Sequence, residues 1–186
     1  MLLKTIPIIA SSLLITVISS NAVAHSSFVE KEFVEGKTVE LTLRVPHGCD
    51  GNPTKEIMVV MPNGPYKDPG LGEAVMGIKP KMNGNWNIVK SEKGEIIPFE
   101  SHGTIYNEDV RSITWKGGRL PNDFYEHFQF RVKLPYLPEG VENKKLYFPV
   151  YQQCTHHTKN EWIEIPTYEG ERLSRPAPYI NILNGE

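Results

Sequence analysis

Thr38-Val39-Glu40-Leu41-Thr42-Leu43-Arg44-Val45 alternates polar and apolar side chains from end to end. Successive side chains of an extended chain point to opposite faces, so a period of two describes a strand with one wet and one buried face. The stretch that follows, Pro46-His47-Gly48-Cys49-Asp50-Gly51-Asn52-Pro53, is dense in turn-forming residues and ends the strand. Ile57 to Met61 is wholly apolar and is stopped by Pro62-Asn63-Gly64-Pro65, after which a Gly- and Pro-rich loop runs to Gly72. A second clear alternation passes through Phe124, Glu126, Phe128, Phe130, Val132 and Leu134. Shorter strand candidates are Ser26 to Val34, Ala74 to Lys79, Trp86 to Lys90, Ile96 to Glu100 and Val110 to Trp115. Lys145 to Gln152, Glu161 to Ile165 and Tyr179 to Leu183 complete the set. No stretch beyond residue 24 carries a helical period, and turn signals recur roughly every 8–12 residues. The pattern predicts one all-β domain over residues 25–186, a β-sandwich of immunoglobulin or fibronectin type.

Residues 1–24 read differently. Lys4 supplies a positive start, Ile6 to Ile18 a short apolar run, and Ala22-Val23-Ala24 a small-x-small cleavage site. The run is interrupted by Pro7, Ser11, Ser12 and Thr16 and is too short to span a bilayer. Met1 to Ala24 is therefore expected to be a secretory signal peptide, cut after Ala24, which makes the mature protein periplasmic or extracellular with no stable membrane span. The leader carries one of the 20 Lys and Arg and none of the 22 Asp and Glu, so the mature chain has a net charge of about −3. That balance gives no reason to expect nucleic acid or an anionic lipid surface as partner.

Two cysteines, Cys49 and Cys154, remain in the exported chain. In an oxidising compartment they most simply form one disulfide; a thiolate metal site would want a Cys-x-x-Cys pair, which is absent. A loop of about a hundred residues would be closed, for which the chain-entropy model gives up to roughly 4–5 kcal/mol.

Cleavage after Ala24 would leave His25 at the amino terminus. A terminal amine and the Nδ1 of the same histidine close a six-membered ring around a metal. The amine has an ordinary pKa near 8, low enough for Cu(II) to displace its proton at neutral pH. Amine and imidazole nitrogens suit the tetragonal preference of Cu(II), which stands at the top of the divalent affinity order. A hairpin of Ser26–Val34 with Lys37–Val45 would bring the His47 loop to the end of the domain where His25 lies. The expected disulfide would bring Thr155-His156-His157-Thr158 there too.

His25 with Arg44-Val45-Pro46-His47-Gly48-Cys49-Asp50-Gly51, and Gly77-Ile78-Lys79-Pro80 before Gly84-Asn85-Trp86, resemble the YcnI-like family, once catalogued as a domain of unknown function (DUF1775). The likeness continues in Ile113-Thr114-Trp115, Gly117-Gly118-Arg119-Leu120-Pro121 and Phe128-Gln129-Phe130-Arg131. It runs on through Phe148-Pro149-Val150, Gln153-Cys154, Trp162-Ile163-Glu164 and Pro176-Ala177-Pro178, and so covers the mature chain. The resemblance implies an exported β-sandwich that binds Cu(II) through its amino-terminal histidine, with an acidic ligand and a nearby tryptophan. It implies copper acquisition, storage or delivery, with another copper-trafficking protein of the envelope as partner. His25 matches directly and Trp162 is the matching tryptophan, beside the metal or simply in the core. Where relatives often carry an acidic residue before the phenylalanine of that strand, this chain has His127, preceded by Glu126. His25, His47, Glu126 and His127 are accordingly the candidate metal ligands, with Asp50 and Glu73 as further loop carboxylates.

Other residues read more simply. His156 and His157 are neighbours that would face opposite ways if extended. His102 sits near a turn and is expected to be solvated, and Met58, Met61, Met76 and Met82 read as core filling. No Gly-x-Ser-x-Gly elbow, His-Glu-x-x-His helix, phosphate loop or dinucleotide fingerprint is present, so no enzyme class is expected. Two alternatives stand: a copper-dependent polysaccharide monooxygenase, which would need a second histidine such as His127 or His47, and a metal-free interaction module of the cell envelope.

Overall fold

A computed structural model describes residues 25–62, 75–101 and 103–185, with the backbone alone for 96–101. The signal-peptide reading of residues 1–24, Glu73 and His102 lie outside the described residues. In chain order the strands are β1 (Ser27–Phe28), β2 (Glu32–Val34), β3 (Thr38–Val45), β4 (Thr54–Val60), β5 (Met76–Pro80), β6 (Asn87–Lys90) and β7 (Lys93–Ser101). They continue as β8 (Thr104–Val110), β9 (Ser112–Leu120), β10 (Glu126–Lys133), β11 (Asn143–Tyr147), β12 (Val150–Cys154), β13 (Lys159–Trp162) and β14 (Tyr179–Leu183). A single 3₁₀ turn, Thr155–His157, is the one helical element among the described residues, and no helix there is long and apolar enough to cross a membrane.

The alternation of Thr38–Val45 does what its period requires. Leu41, Leu43 and Val45 are buried, and Glu40 and Arg44 are exposed. β3 lies between β1 and β10 in a sheet of order β1-β3-β10-β5, facing a second of order β13-β12-β4-β9-β6. Trp115 of β9 meets Phe128 and Phe130 of β10 with ring centroids 5.3 and 6.2 Å apart, which places the two inner faces against one another. Phe28 stacks edge-on against Phe148 at 5.0 Å and Phe130 at 6.3 Å, so the core between the sheets is largely aromatic. β11, β14 and β2 form a third sheet, and β7 with β8 a two-stranded ribbon held to β5 by Gly77 N–H donating to Asp109 Oδ2 at 2.8 Å.

Two expectations are corrected by strands that change sheets. Ser26–Val34 is not one strand. β1 pairs antiparallel with β3, whereas β2 pairs parallel with β14, so only the first half of the expected hairpin forms. Lys145–Gln152 likewise divides at Phe148-Pro149: β11 pairs with β14 and β12 with β4. Phe148 N–H donates to Pro178 O and Pro149 O accepts from Val60, so each side of the break has a different neighbour. β8, which the pattern missed, is exposed along most of its length and so has no buried alternation to reveal it.

The glycine pair in β9 marks a close approach. Gly117 takes a left-handed φ of 77°, and a Cβ on Gly118 would stand 2.5–2.7 Å from the indole of buried Trp86. Gly118→Ala should force that indole out of its packing on Phe128, and is expected to cost about 1–3 kcal/mol. Chemical denaturation measures it; an unshifted midpoint would show that Trp86 has room to give.

Candidate metal centre

The end of the sandwich that holds His25 is assembled by register. Ser27 pairs with Arg44, and Arg44 with His127, so the start of β1, the end of β3 and the start of β10 share one edge. The connections that leave this edge are the Pro46–Pro53 loop and the loop before Glu126. The disulfide Cys49–Cys154, with Cα atoms 5.9 Å apart, ties the first of these to the end of β12. Thr155 N–H donates to Pro53 O at 2.9 Å, and His156 Nδ1 lies 3.0 Å from Asn52 Oδ1. Convergence of the three regions on one end therefore survives the loss of the full hairpin, because the two residues of β1 suffice to bring His25 level with Pro46, the first residue of the His47 loop.

His25 is exposed and lies against the end of the core. Its ring meets Trp162 edge-on, centroids 4.8 Å apart, and its Nε2 is 3.4 Å from Ser174 O. A carbonyl only accepts, so a hydrogen bond here needs the proton on Nε2, and in the neutral ring that leaves the lone pair on Nδ1. Among the described residues nothing bonds Nδ1. Trp162 is buried, and its Nε1 has no hydrogen-bond partner among the described residues.

Ser174 leads to a residue that the sequence did not single out. Its Oγ donates to Glu164 Oε1 at 3.0 Å, and Arg175 N–H donates to Glu164 Oε2 at 2.8 Å. Glu164 N–H in turn donates to Arg175 O, and Ala177 N–H to Glu164 O, closing the base of the loop 165–174. The Arg175 N–H above all, with the Ser174 hydroxyl, holds the Glu164 carboxyl below the ordinary carboxylate range. The partners stand ten and eleven residues away across an irregular loop, which is why Trp-Ile-Glu carried no signal of this role.

The other expected ligands are distributed differently. Glu126 pairs with Val45 and His127 with Arg44, so the two side chains belong to opposite faces of β10. Glu126 Oε1 accepts from the N–H of His127 at 3.0 Å, and the His127 ring tilts against Tyr125 at 5.2 Å. His47 is half-buried with Nδ1 2.5 Å from Gly48 O, and its own carbonyl accepts from buried Gln152 at 2.7 Å. Gln152 also donates to Thr54 Oγ1 at 2.8 Å and accepts from Asn160, which makes the His47 backbone part of a polar network under the disulfide. His156 and His157 are not extended. They take left-handed φ values of 55° and 59° in the 3₁₀ turn and are exposed, as is Asp50. Met58, Met61 and Met76 pack in strands or the core, whereas Met82 is 89% exposed and fills no core. Among the described residues no three His, Cys, Asp or Glu side chains gather into one metal-holding cluster, so the four candidate ligands are not brought together as a set. Nδ1 of His25 has no bond among the described residues, so a free amine on the same residue would complete a chelate with it.

Fold and site together define an immunoglobulin-like β-sandwich with a histidine at the start of its first strand. The chain belongs to the family described as Domain of unknown function (DUF1775), whose model matches residues 25–182. The YcnI-like resemblance is borne out at that level. Among solved structures the chain is similar to an uncharacterized protein from Nocardia farcinica described as having an immunoglobulin-like fold. The identity is 17% and the TM-score 0.55, over 86% of this chain and 96% of that one. No curated protein matches the chain.

Proposed function

We propose that the protein is an exported copper(II)-binding protein, serving copper acquisition, storage or delivery in the periplasm or outside the cell. Cleavage between Ala24 and His25 frees the amine, and amine and Nδ1 then hold the ion as a chelate. The observation that carries this reading is the setting of His25: exposed, with Nε2 against the Ser174 carbonyl and Nδ1 unengaged among the described residues. Three further facts support it. The family match begins at His25; the formed disulfide suits an oxidising compartment; and Trp162 covers one side of the ring. A chelate at an open end leaves coordination positions free, so copper can pass to a trafficking partner by ligand exchange.

The test compares mature protein beginning at His25 with the same protein acetylated on the His25 amine. Acetylation turns the amine into an amide and puts no new amine beside it, so only the imidazole remains to hold Cu(II). Affinity should fall by about a hundredfold or more, roughly 2.7 kcal/mol, and the visible spectrum should change. Equal affinity and identical spectra in the two proteins would reject the chelate.

The monooxygenase alternative has one observation in its favour. Phe124 and Tyr125 are 63% and 64% exposed in the loop entering β10, two strand spacings (about 10 Å) from the start of β1. Exposed rings near an amino-terminal histidine are what a sugar chain would stack on. Peroxide-driven oxidation of chitin or cellulose by the copper-loaded protein would favour that reading; inert polysaccharide would leave the carrier. A protein that takes up no copper in either form would be the metal-free interaction module.

A further inference from the structure

The carboxylate of Glu164 is occupied in an unusual way for a side chain on the solvent side of a loop. Both its oxygens are turned onto the strap that passes His25, one to the Ser174 hydroxyl and the other to the Arg175 N–H. The next group along that strap is the Ser174 carbonyl, which lies 3.4 Å from the imidazole Nε2. On its other side the ring is limited by the edge of Trp162. A neutral imidazole has one N–H and one lone pair, and a five-membered ring free to spin about its χ angles presents either nitrogen in any direction. Only Nδ1 can close a six-membered ring with the amine of its own residue; Nε2 points away from it. The acceptor at Nε2 is therefore the group that makes the ring ready to chelate.

We propose that Glu164 is a positioning residue for His25: by anchoring Ser174 and Arg175 it holds the Ser174 carbonyl against Nε2–H, which keeps Nδ1 as the lone-pair nitrogen in a fixed ring orientation. The proposal rests on the chelate reading for its purpose, but its geometry exists without metal. Glu164 touches no reacting atom and acts through Ser174. The base of the loop is independently closed by main-chain bonds from Ile163 and Glu164 to Arg175 O and from Ala177 to Glu164 O. Removing the carboxylate therefore loosens Ser174 without unfolding the strap.

The experiment uses mature protein beginning at His25, its Glu164→Ala variant and its Glu164→Gln variant, each checked by circular dichroism. Long-range ¹H–¹⁵N spectra of the metal-free proteins read which imidazole nitrogen carries the proton. A titration against a Cu(II) competitor reads affinity, and electron paramagnetic resonance reads the ligand field. Wild type should show protonated Nε2 and bare Nδ1. Glu164→Ala should give an averaged ring signal, a Cu(II) affinity about tenfold weaker and a broadened or shifted resonance spectrum. Glu164→Gln should return close to wild type, because its amide oxygen still accepts the Arg175 N–H and its side chain still meets the Ser174 hydroxyl. An Ala variant with unchanged ring signal and unchanged affinity overturns the proposal. So does a Gln variant as weak as Ala, since the carboxylate would then be binding copper itself. If copper binding proves indifferent to acetylation of the His25 amine, the chelate reading fails, while the metal-free ring spectra still decide whether Glu164 positions His25.

Discussion

Replacing Cys49 and Cys154 together by serine is expected to lower the free energy of unfolding by about 2–4 kcal/mol, and the midpoint of thermal unfolding by roughly 6–12 °C. The two residues are 105 apart in sequence, so the crosslink removes much of the freedom of the unfolded chain. In the folded state it has less to do. Cys154 already pairs with Thr54 in the β12–β4 ladder, and the Cys49–Asn52 turn is closed by its own two backbone hydrogen bonds, 2.9 and 2.8 Å. Gln152 independently holds the His47 carbonyl. The double variant should therefore keep its fold and its sheet register and lose stability mainly through the denatured state, with the slope of urea unfolding rising as that state expands. Both sulfurs are buried, so serine hydroxyls there lack solvent and add a modest penalty of their own. A variant whose urea midpoint does not move would show that the loop between the cysteines stays compact when unfolded. Copper uptake by the double variant is expected to be near normal, because His25 is placed by β1 and Trp162 rather than by the disulfide loop.

Much of this architecture is legible in residue order, and the reason differs from place to place. β3 and β10 were readable because each buries one face only, so hydrophobicity alone reports the pleat. The same alternation puts Glu126 in phase with Phe128 and Val45, and leaves His127 with Arg44 on the outer face. Pairing partners are another matter. A period of two says that a stretch is extended and not what lies beside it, which is why the sheet changes after β1 and at Phe148-Pro149 were invisible. Conformation at His156-His157 was misjudged because two successive left-handed non-glycine residues are rare, and the turn is imposed by the disulfide and Asn52 beside it. The cysteine pairing followed from arithmetic. Glu164 did not, because a side chain that closes a loop on itself leaves no pattern in the loop's sequence.

Trp162 separates packing from site chemistry most sharply. Its side chain is buried at the end of β13, opposite Val150 of β12, and truncation to alanine should cost about 3–5 kcal/mol, the range for deleting a large aromatic from a core. Phenylalanine is a different substitution. It keeps most of the ring volume and removes an indole N–H that has no partner among the described residues. A buried donor left unbonded carries a penalty of about 1–3 kcal/mol, which offsets the smaller ring, so Trp162→Phe should unfold within about 1 kcal/mol of wild type. If the tryptophan were only core, the two proteins would then be alike in every other respect. The indole, however, packs against the His25 ring with centroids 4.8 Å apart and limits its rotation. Trp162→Phe is therefore expected to hold Cu(II) several-fold more weakly and to lose most of the copper-induced quenching of fluorescence. Trp86 and Trp115, on the opposite side of the sandwich core against Phe128, report less of it. Denaturant melts and copper titrations of both variants decide the matter. A phenylalanine variant as unstable as alanine would mean that the indole N–H is bonded in solution and the residue is structural. A stable phenylalanine variant with wild-type copper retention and quenching would remove Trp162 from the site and leave His25 to hold the ion without it.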